Sequence, residues 1–166
     1  MRTDKIYLVG FMGAGKSTVA RALGRRLAWR VEDIDEAIEA RERASVADLF
    51  AQRGELYFRL AEREVLRGLL HERQAVVATG GGTFADPDNR ADILGDGAAI
   101  WLDIPFAVAL ERVPPDGRRP LAGDRATFEA LFRLRTQAYR LAHLRLDASR
   151  APVQELVERI LDWLGY

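Results

Sequence analysis

The sequence predicts an α/β fold of three layers, a five-stranded parallel sheet between two layers of helices. Three observations carry that expectation. Short apolar runs alternate with amphipathic stretches five times along 166 residues. The best of these runs are continuously apolar, which is how strands covered on both faces read. And no stretch of linker composition is long enough to divide the chain, so residues 1–166 are expected to form one domain.

The elements follow in order. Ile6 to Val9 is a buried strand that runs into a glycine turn. From residue 16 to about 28, Val19, Ala20, Leu23 and Leu27 recur at helical spacing. "WRVE", 29–32, is a weakly patterned second strand. "DIDEAIEAR" and "SVADLFAQRG" then predict two short helices, with Ser45 as an N-cap and Gly54 as a stop. "ELYFRLAEREVLRGLL" is a longer amphipathic helix, and "QAVVAT" a strand ending in Gly80, Gly81 and Gly82. A helix over "DPDNRADIL", a strand over "AAIWLDI" and a helix from about Pro105 to Arg112 come next. Residues 114–124, "PPDGRRPLAGD", have loop composition throughout. A helix from about Thr127 to Leu141, a fifth strand in "LRLDAS" and a closing helix opened by Pro152 complete the chain.

Composition removes several functions. The 25 basic and 25 acidic residues cancel, which argues against a nucleic-acid or anionic-membrane binder, since either needs a basic excess. Without cysteine there is no disulfide, thiolate metal site or thiol nucleophile. The segment before the first glycine turn is too short for a signal-peptide core or a membrane span, so a soluble, cytoplasmic protein is expected. Only Lys5 and Lys16 among the basic residues are lysines. Where arginine is the habit, a lysine that persists is informative.

Residues 10–17, "GFMGAGKS", fit the pattern G-x-x-x-x-G-K-[ST] between a strand and a helix. Glycines let backbone N–H groups turn inward around a phosphate chain, and the helix N-terminus adds partial positive charge. Lys16 would reach the β- and γ-phosphates, and the Ser17 hydroxyl would ligate Mg²⁺. The loop points to a nucleoside triphosphate and is silent on what accepts the phosphoryl group.

Other stretches leave alternatives open. Asp33 and Asp35 are two apart in "VEDIDE", and in an extended segment they share a face. Asp33 would then serve the magnesium hydration shell, and Asp35 would take a hydrogen bond from an acceptor hydroxyl and act as base. The other reading makes them N-cap and first-turn acids of the next helix, flanked by Glu32 and Glu36. Gly80 to Gly82 sit beyond a strand's C-terminal end, where open parallel sheets bind ligands; the plainer reading is a flexible turn. Arg59 and Arg135 are each an inward anion ligand or a snorkelling rim residue, and spacing alone does not select them. Arg118 and Arg119 lie in a loop that would close over a triphosphate or stay an ordinary exposed loop.

Taken together these stretches resemble shikimate kinase nearly end to end. The resemblance rests on "GFMGAGKST", on Asp33 and Asp35, on "GE-x-x-FR-x-x-E" from Gly54 to Glu62, and on "TGGG" at 79–82. It continues through "RPL" at 119–121, "R-x-x-x-Y" from Arg135 to Tyr139 and "LD-x-S" at 146–149. It implies a P-loop fold of nucleoside-monophosphate-kinase type and transfer of the ATP γ-phosphoryl group to the 3-hydroxyl of shikimate. By the same resemblance, Asp35, Arg59, Gly80, Gly81, Gly82 and Arg135 bind shikimate. Gly13, Ala14, Gly15, Lys16, Ser17, Thr18, Arg112, Arg119 and Arg150 bind ATP. Lys16, Asp35 and Arg119 carry catalysis, with Mg²⁺ on Ser17 and, through water, on Asp33. Helices over about 34–62 hold the acceptor, and a lid spans about 113–124. The enzyme is expected to be a cytoplasmic monomer. The chain departs from the family pattern at Val31, at Arg43 or Ala44, and at Ala122, none of them a charged site position. Two rival readings are another small-molecule kinase of this fold, such as a gluconate kinase, and an ATP sensor with no acceptor.

Overall fold

The structure is a computed structural model that describes residues 3–113 and 124–166. Five strands form one parallel sheet in the order β2-β3-β1-β4-β5. β1 (Lys5–Val9) lies at the centre and is buried at every residue, between β3 (Ala75–Ala78) and β4 (Ala98–Asp103). β2 (Arg30–Asp33) and β5 (Leu144–Asp147) are the edges, and the partial exposure of β2 explains why it reads weakly in sequence. The first half of the chain builds one flank of β1 and the second half the other, so the order reverses beside β1. Ligands bind at such reversals, beyond the strand C-termini.

Helices follow each strand. α1 (Lys16–Leu27) starts from the glycine loop. α2 (Ile34–Glu42) follows β2 with no intervening loop. α3 spans Val46–Leu69 and is interrupted at Gly54 (φ 82°, ψ 170°), so the two helices expected over 45–70 are present as two segments joined at a kink. That backbone conformation is open essentially to glycine alone. The kink re-aims the second segment, which carries Arg59 and Glu62. α4 (Pro87–Asp96) is capped by Asp86, and α5 spans Phe106–Arg112. α6 (Arg125–Tyr139) is capped by Asp124, and α7 (Val153–Leu164) buries Leu156, Val157, Ile160, Leu161 and Leu164 on one stripe.

Two features outside the strands position the site. An aromatic cluster joins the glycine loop to α5 and α6: Phe11 packs on Phe128 and Phe132, and Phe106 packs on the same two rings. At the opposite end of the sheet, fully buried Lys5 donates to the Leu69 and Leu70 carbonyls and pairs with Asp96 at 2.7 Å. Tyr7 and Arg73 also donate to Asp96. This network fastens the C-terminal ends of α3 and α4 to the central strand.

Candidate active site

Gly10 opens the phosphate loop with φ 146°, and a Cβ there would lie 2.6 Å from the Leu102 carbonyl oxygen. Only glycine lets the chain turn this close to β4. Gly13 and Gly15 also take positive φ, and Gly15 is the N-cap of α1. Ala14 is buried and its N–H closes the turn onto the Phe11 carbonyl; Thr18 is exposed in the first turn of α1. Lys16 is 9% exposed and donates to the Gly10 and Phe11 carbonyls at 2.8 and 3.0 Å. Its ammonium thus lies inside the loop whose phosphate it is expected to meet.

Asp33 ends β2 and caps α2 by accepting from the Glu36 N–H, while Asp35 stands in the first turn of that helix. The two therefore do not share the face of an extended segment, and that expectation is corrected: the chain turns helical between them. The reading of Asp33 as N-cap of the next helix holds, and its second oxygen accepts from the Ser17 hydroxyl at 2.5 Å. The flanking acid Glu36 pairs instead with exposed Arg21. Thr79 holds β3 against β1 through the Leu8 carbonyl.

The three glycines after β3 each lie against a different charged group. A Cβ on Gly80 would stand 2.9 Å from Asp35 Oδ1 and 2.9 Å from Glu62 Oε2. A Cβ on Gly81 would meet an Arg135 nitrogen at 2.9 Å, and one on Gly82 would overlap the Arg59 guanidinium at 2.5–2.7 Å. Two carboxylates and two guanidiniums thus converge on one turn. Together with Met12, Val46, Phe50 and Phe58 these residues line a single cavity.

The arginines are held differently. Arg59 pairs with Glu62 at 2.9 Å and, more loosely, with Glu55. Glu62 is 1% exposed and takes a second hydrogen bond from Thr83. Arg135 is 5% exposed and lies over the Phe11 ring, with no ion pair to any described side chain. Burial lowers its pKa, and the like charge of Arg59 adds to that effect. A buried cation without a carboxylate partner is costly unless an anion joins it.

Beside the phosphate loop, Arg112 bridges two segments distant in sequence, donating to the Gly13 carbonyl at 3.0 Å and to the Ser149 carbonyl at 3.2 Å. Arg150 follows Ser149 and is exposed. Arg119 and most of the expected lid lie outside the described residues. Among the described residues no cluster of three or more acids or histidines forms a self-sufficient metal site.

Known proteins resemble this chain over nearly its whole length. The shikimate kinase family model covers residues 12–165. A shikimate kinase from a Sulfurihydrogenibium species is 40% identical over 94% of this chain and 95% of its own. The chain belongs to the shikimate kinase family. Among solved structures, shikimate kinase from Acinetobacter baumannii in complex with shikimate superposes with a TM-score of 0.93 at 33% identity, covering 98% of this chain and 93% of that one. The Aquifex aeolicus enzyme gives 0.89 at 37% identity, covering 97% and 96%. A deoxyadenosine kinase from M. mycoides, 18% identical with a TM-score of 0.68, shares the fold.

Seen within the family, the predicted acceptor residues Asp35, Arg59, Gly80, Gly81, Gly82 and Arg135 all line one cavity. Sequence reasoning missed Glu62, which lines it, and Tyr139, which does not line it but donates to the Gly81 carbonyl, although both stand inside the quoted motifs. The spacing of Arg59 and Glu62, three apart on a helix, was the available signal. For Tyr139 the signal was its place four residues after Arg135.

Proposed function

We propose that this chain is a Mg²⁺-ATP-dependent shikimate kinase, transferring the γ-phosphoryl group to the 3-hydroxyl of shikimate. The observation that carries this reading is the pair Arg59 and Arg135, packed on Gly82 and Gly81 in the cavity that also holds Asp35. Two guanidiniums suit a carboxylate, and a ring hydroxyl then faces the acid. An ATP sensor has no use for such an acceptor pocket.

Catalysis is positioning and charge neutralisation. The acceptor oxygen attacks the γ-phosphorus, the bond from that phosphorus to the β-phosphate oxygen breaks, and the hydroxyl proton passes to Asp35. Lys16 shifts from the loop carbonyls to the β- and γ-phosphates. Arg119 from the lid segment neutralises charge on the transferred group. Arg112 and Arg150 stand on the adenine side. The Ser17 hydroxyl and the Asp33 carboxylate lie side by side, which suits a hard cation that shares its ligands with substrate phosphates and water. Mg²⁺ held there would supply charge neutralisation on the phosphate oxygens. We read the enzyme as a cytoplasmic monomer with no nucleic-acid or membrane partner; no helix among the described residues is long and apolar enough to cross a membrane.

The deciding experiment is ADP release from Mg²⁺-ATP with shikimate, with gluconate and with neither. Release that requires shikimate supports the reading. Gluconate-dependent release favours a different small-molecule kinase, and ATP binding without either favours the sensor.

A further inference from the structure

We propose that Tyr139 is a positioning residue for the acceptor site: its hydroxyl holds the Gly81 carbonyl so that Arg135 and the glycine turn keep the spacing that selects a carboxylate. The proposal rests on the shikimate kinase reading above and adds a residue to which that reading gave no role.

Arg135 and Tyr139 lie four apart on α6, hence one above the other on one face. They are 5% and 1% exposed. Both touch the same residue. The Arg135 guanidinium occupies the space a side chain at Gly81 would need, and the Tyr139 hydroxyl donates a hydrogen bond to the Gly81 carbonyl oxygen. α6 therefore grips Gly81 from two directions. Burial pushes the Tyr139 phenol up, against the opposing pull of Arg135 and Arg59, so the group remains a donor across the working range of pH.

The grip matters because of what it holds. Three consecutive glycines have little conformational preference of their own. Gly80 stands against Asp35 and Glu62, Gly81 against Arg135, and Gly82 against Arg59. A shift of the middle residue would change the distance between the two guanidiniums and the relation of both to Asp35. The hydrogen bond from Tyr139 is a side-chain tether on that middle residue. It reaches neither Lys16 nor Ser17, so its loss should leave the nucleotide half alone.

The test is steady-state kinetics of Tyr139→Phe, which keeps the buried ring and removes one hydroxyl. Shikimate is compared with its uncharged methyl ester as acceptor. Losing one buried hydrogen bond is expected to raise the shikimate KM about tenfold. The kcat and the KM for ATP should stay within about twofold. The ester should lose little, so the preference for acid over ester shrinks by the same factor as kcat/KM for the acid. An unchanged shikimate KM overturns the proposal, as does an equal loss for acid and ester, which is what a merely structural tyrosine would give. If Tyr139→Phe does not fold, Gly81→Ala probes the same grip from the other side by pressing a methyl group on Arg135. It must show the same acid-selective loss, and its absence overturns the proposal. Wild-type enzyme is assayed first: no shikimate-dependent turnover there would overturn the functional reading and this proposal together, whereas normal wild-type turnover with unselective variants overturns the proposal alone.

Discussion

At the scale of residues, the cavity at the glycine turn depends on an acid that is not expected to touch the phosphates. Glu62 is almost fully buried between Arg59 and Thr83. Its charge fixes the Arg59 guanidinium and offsets the repulsion between Arg59 and Arg135. Glu62→Gln keeps shape and the Thr83 contact but gives up a charge-assisted bond, a change of roughly 1.5–3 kcal/mol. The kcat/KM for shikimate should fall about ten- to hundredfold, with the KM for ATP unaffected. Loss of ATP affinity of the same size would mean that Glu62 acts on the whole site. Asp35→Asn makes the complementary statement. It preserves packing beside Gly80 and removes the proton acceptor, so turnover should drop by about 10²–10⁴ while ATP still binds. Near-normal kcat in that variant would remove Asp35 from the chemistry.

At the scale of elements, the orientation of α3 is the quantity to perturb. Gly54 sits in a conformation other residues avoid, and a Cβ there meets nothing within 4 Å. The penalty of Gly54→Ala is thus backbone strain alone, about 1–3 kcal/mol. A variant that relieves it by straightening the helix would carry Arg59 and Glu62 away from the glycine turn. Both a lower urea midpoint and a raised shikimate KM are expected, and a variant with neither would show that the kink is incidental. The far end of α3 is held by Lys5 and, through it, Asp96. Burial works to raise the Asp96 pKa, but the hydrogen bonds from Lys5, Tyr7 and Arg73 prevail and hold it below the ordinary carboxylate value. A depressed native pKa contributes stability above the unfolded value of about 4, and that stability is lost as pH falls through the native pKa. Asp96→Asn should therefore cost stability at pH 7, and the cost should shrink in melts taken below about pH 4. A pH-independent difference would mean that the carboxylate charge contributes nothing.

For the whole molecule, the phosphate loop and the cavity at the glycine turn both lie where the strand order reverses, and most elements contribute to one or the other. Ligand binding should register as global stability. A ligand at a hundred times its Kd adds about 2.7 kcal/mol, or roughly 5–10 °C in Tm for a domain of this size. Mg²⁺-ATP and shikimate should each produce such a shift, and gluconate should produce none. A shift with ATP but none with shikimate would count against the acceptor cavity.

The sequence by itself determined the sheet, the phosphate loop and the class of ligand. Continuous apolar runs report burial on both faces, and the loop's chemistry is contained in eight adjacent residues whose backbone turns only glycine can make. The sequence also offered, as one of two open readings, the arrangement found here, with Asp33 as N-cap and Asp35 in the first turn of the next helix. Spacing does not separate the arginines in a chain that uses arginine for nearly every cation; the resemblance names them, and only the tertiary structure decides what each one meets. Arg59 stands apart because buried Glu62 pairs with it beside Gly82, Arg135 because it is buried beside Gly81 with no ion pair to a described side chain, and Arg112 because it bridges Gly13 and Ser149. Those relations connect residues tens of positions apart. Helical and strand periodicity reports which face a residue is on, whereas what it meets there is settled only when the layers pack.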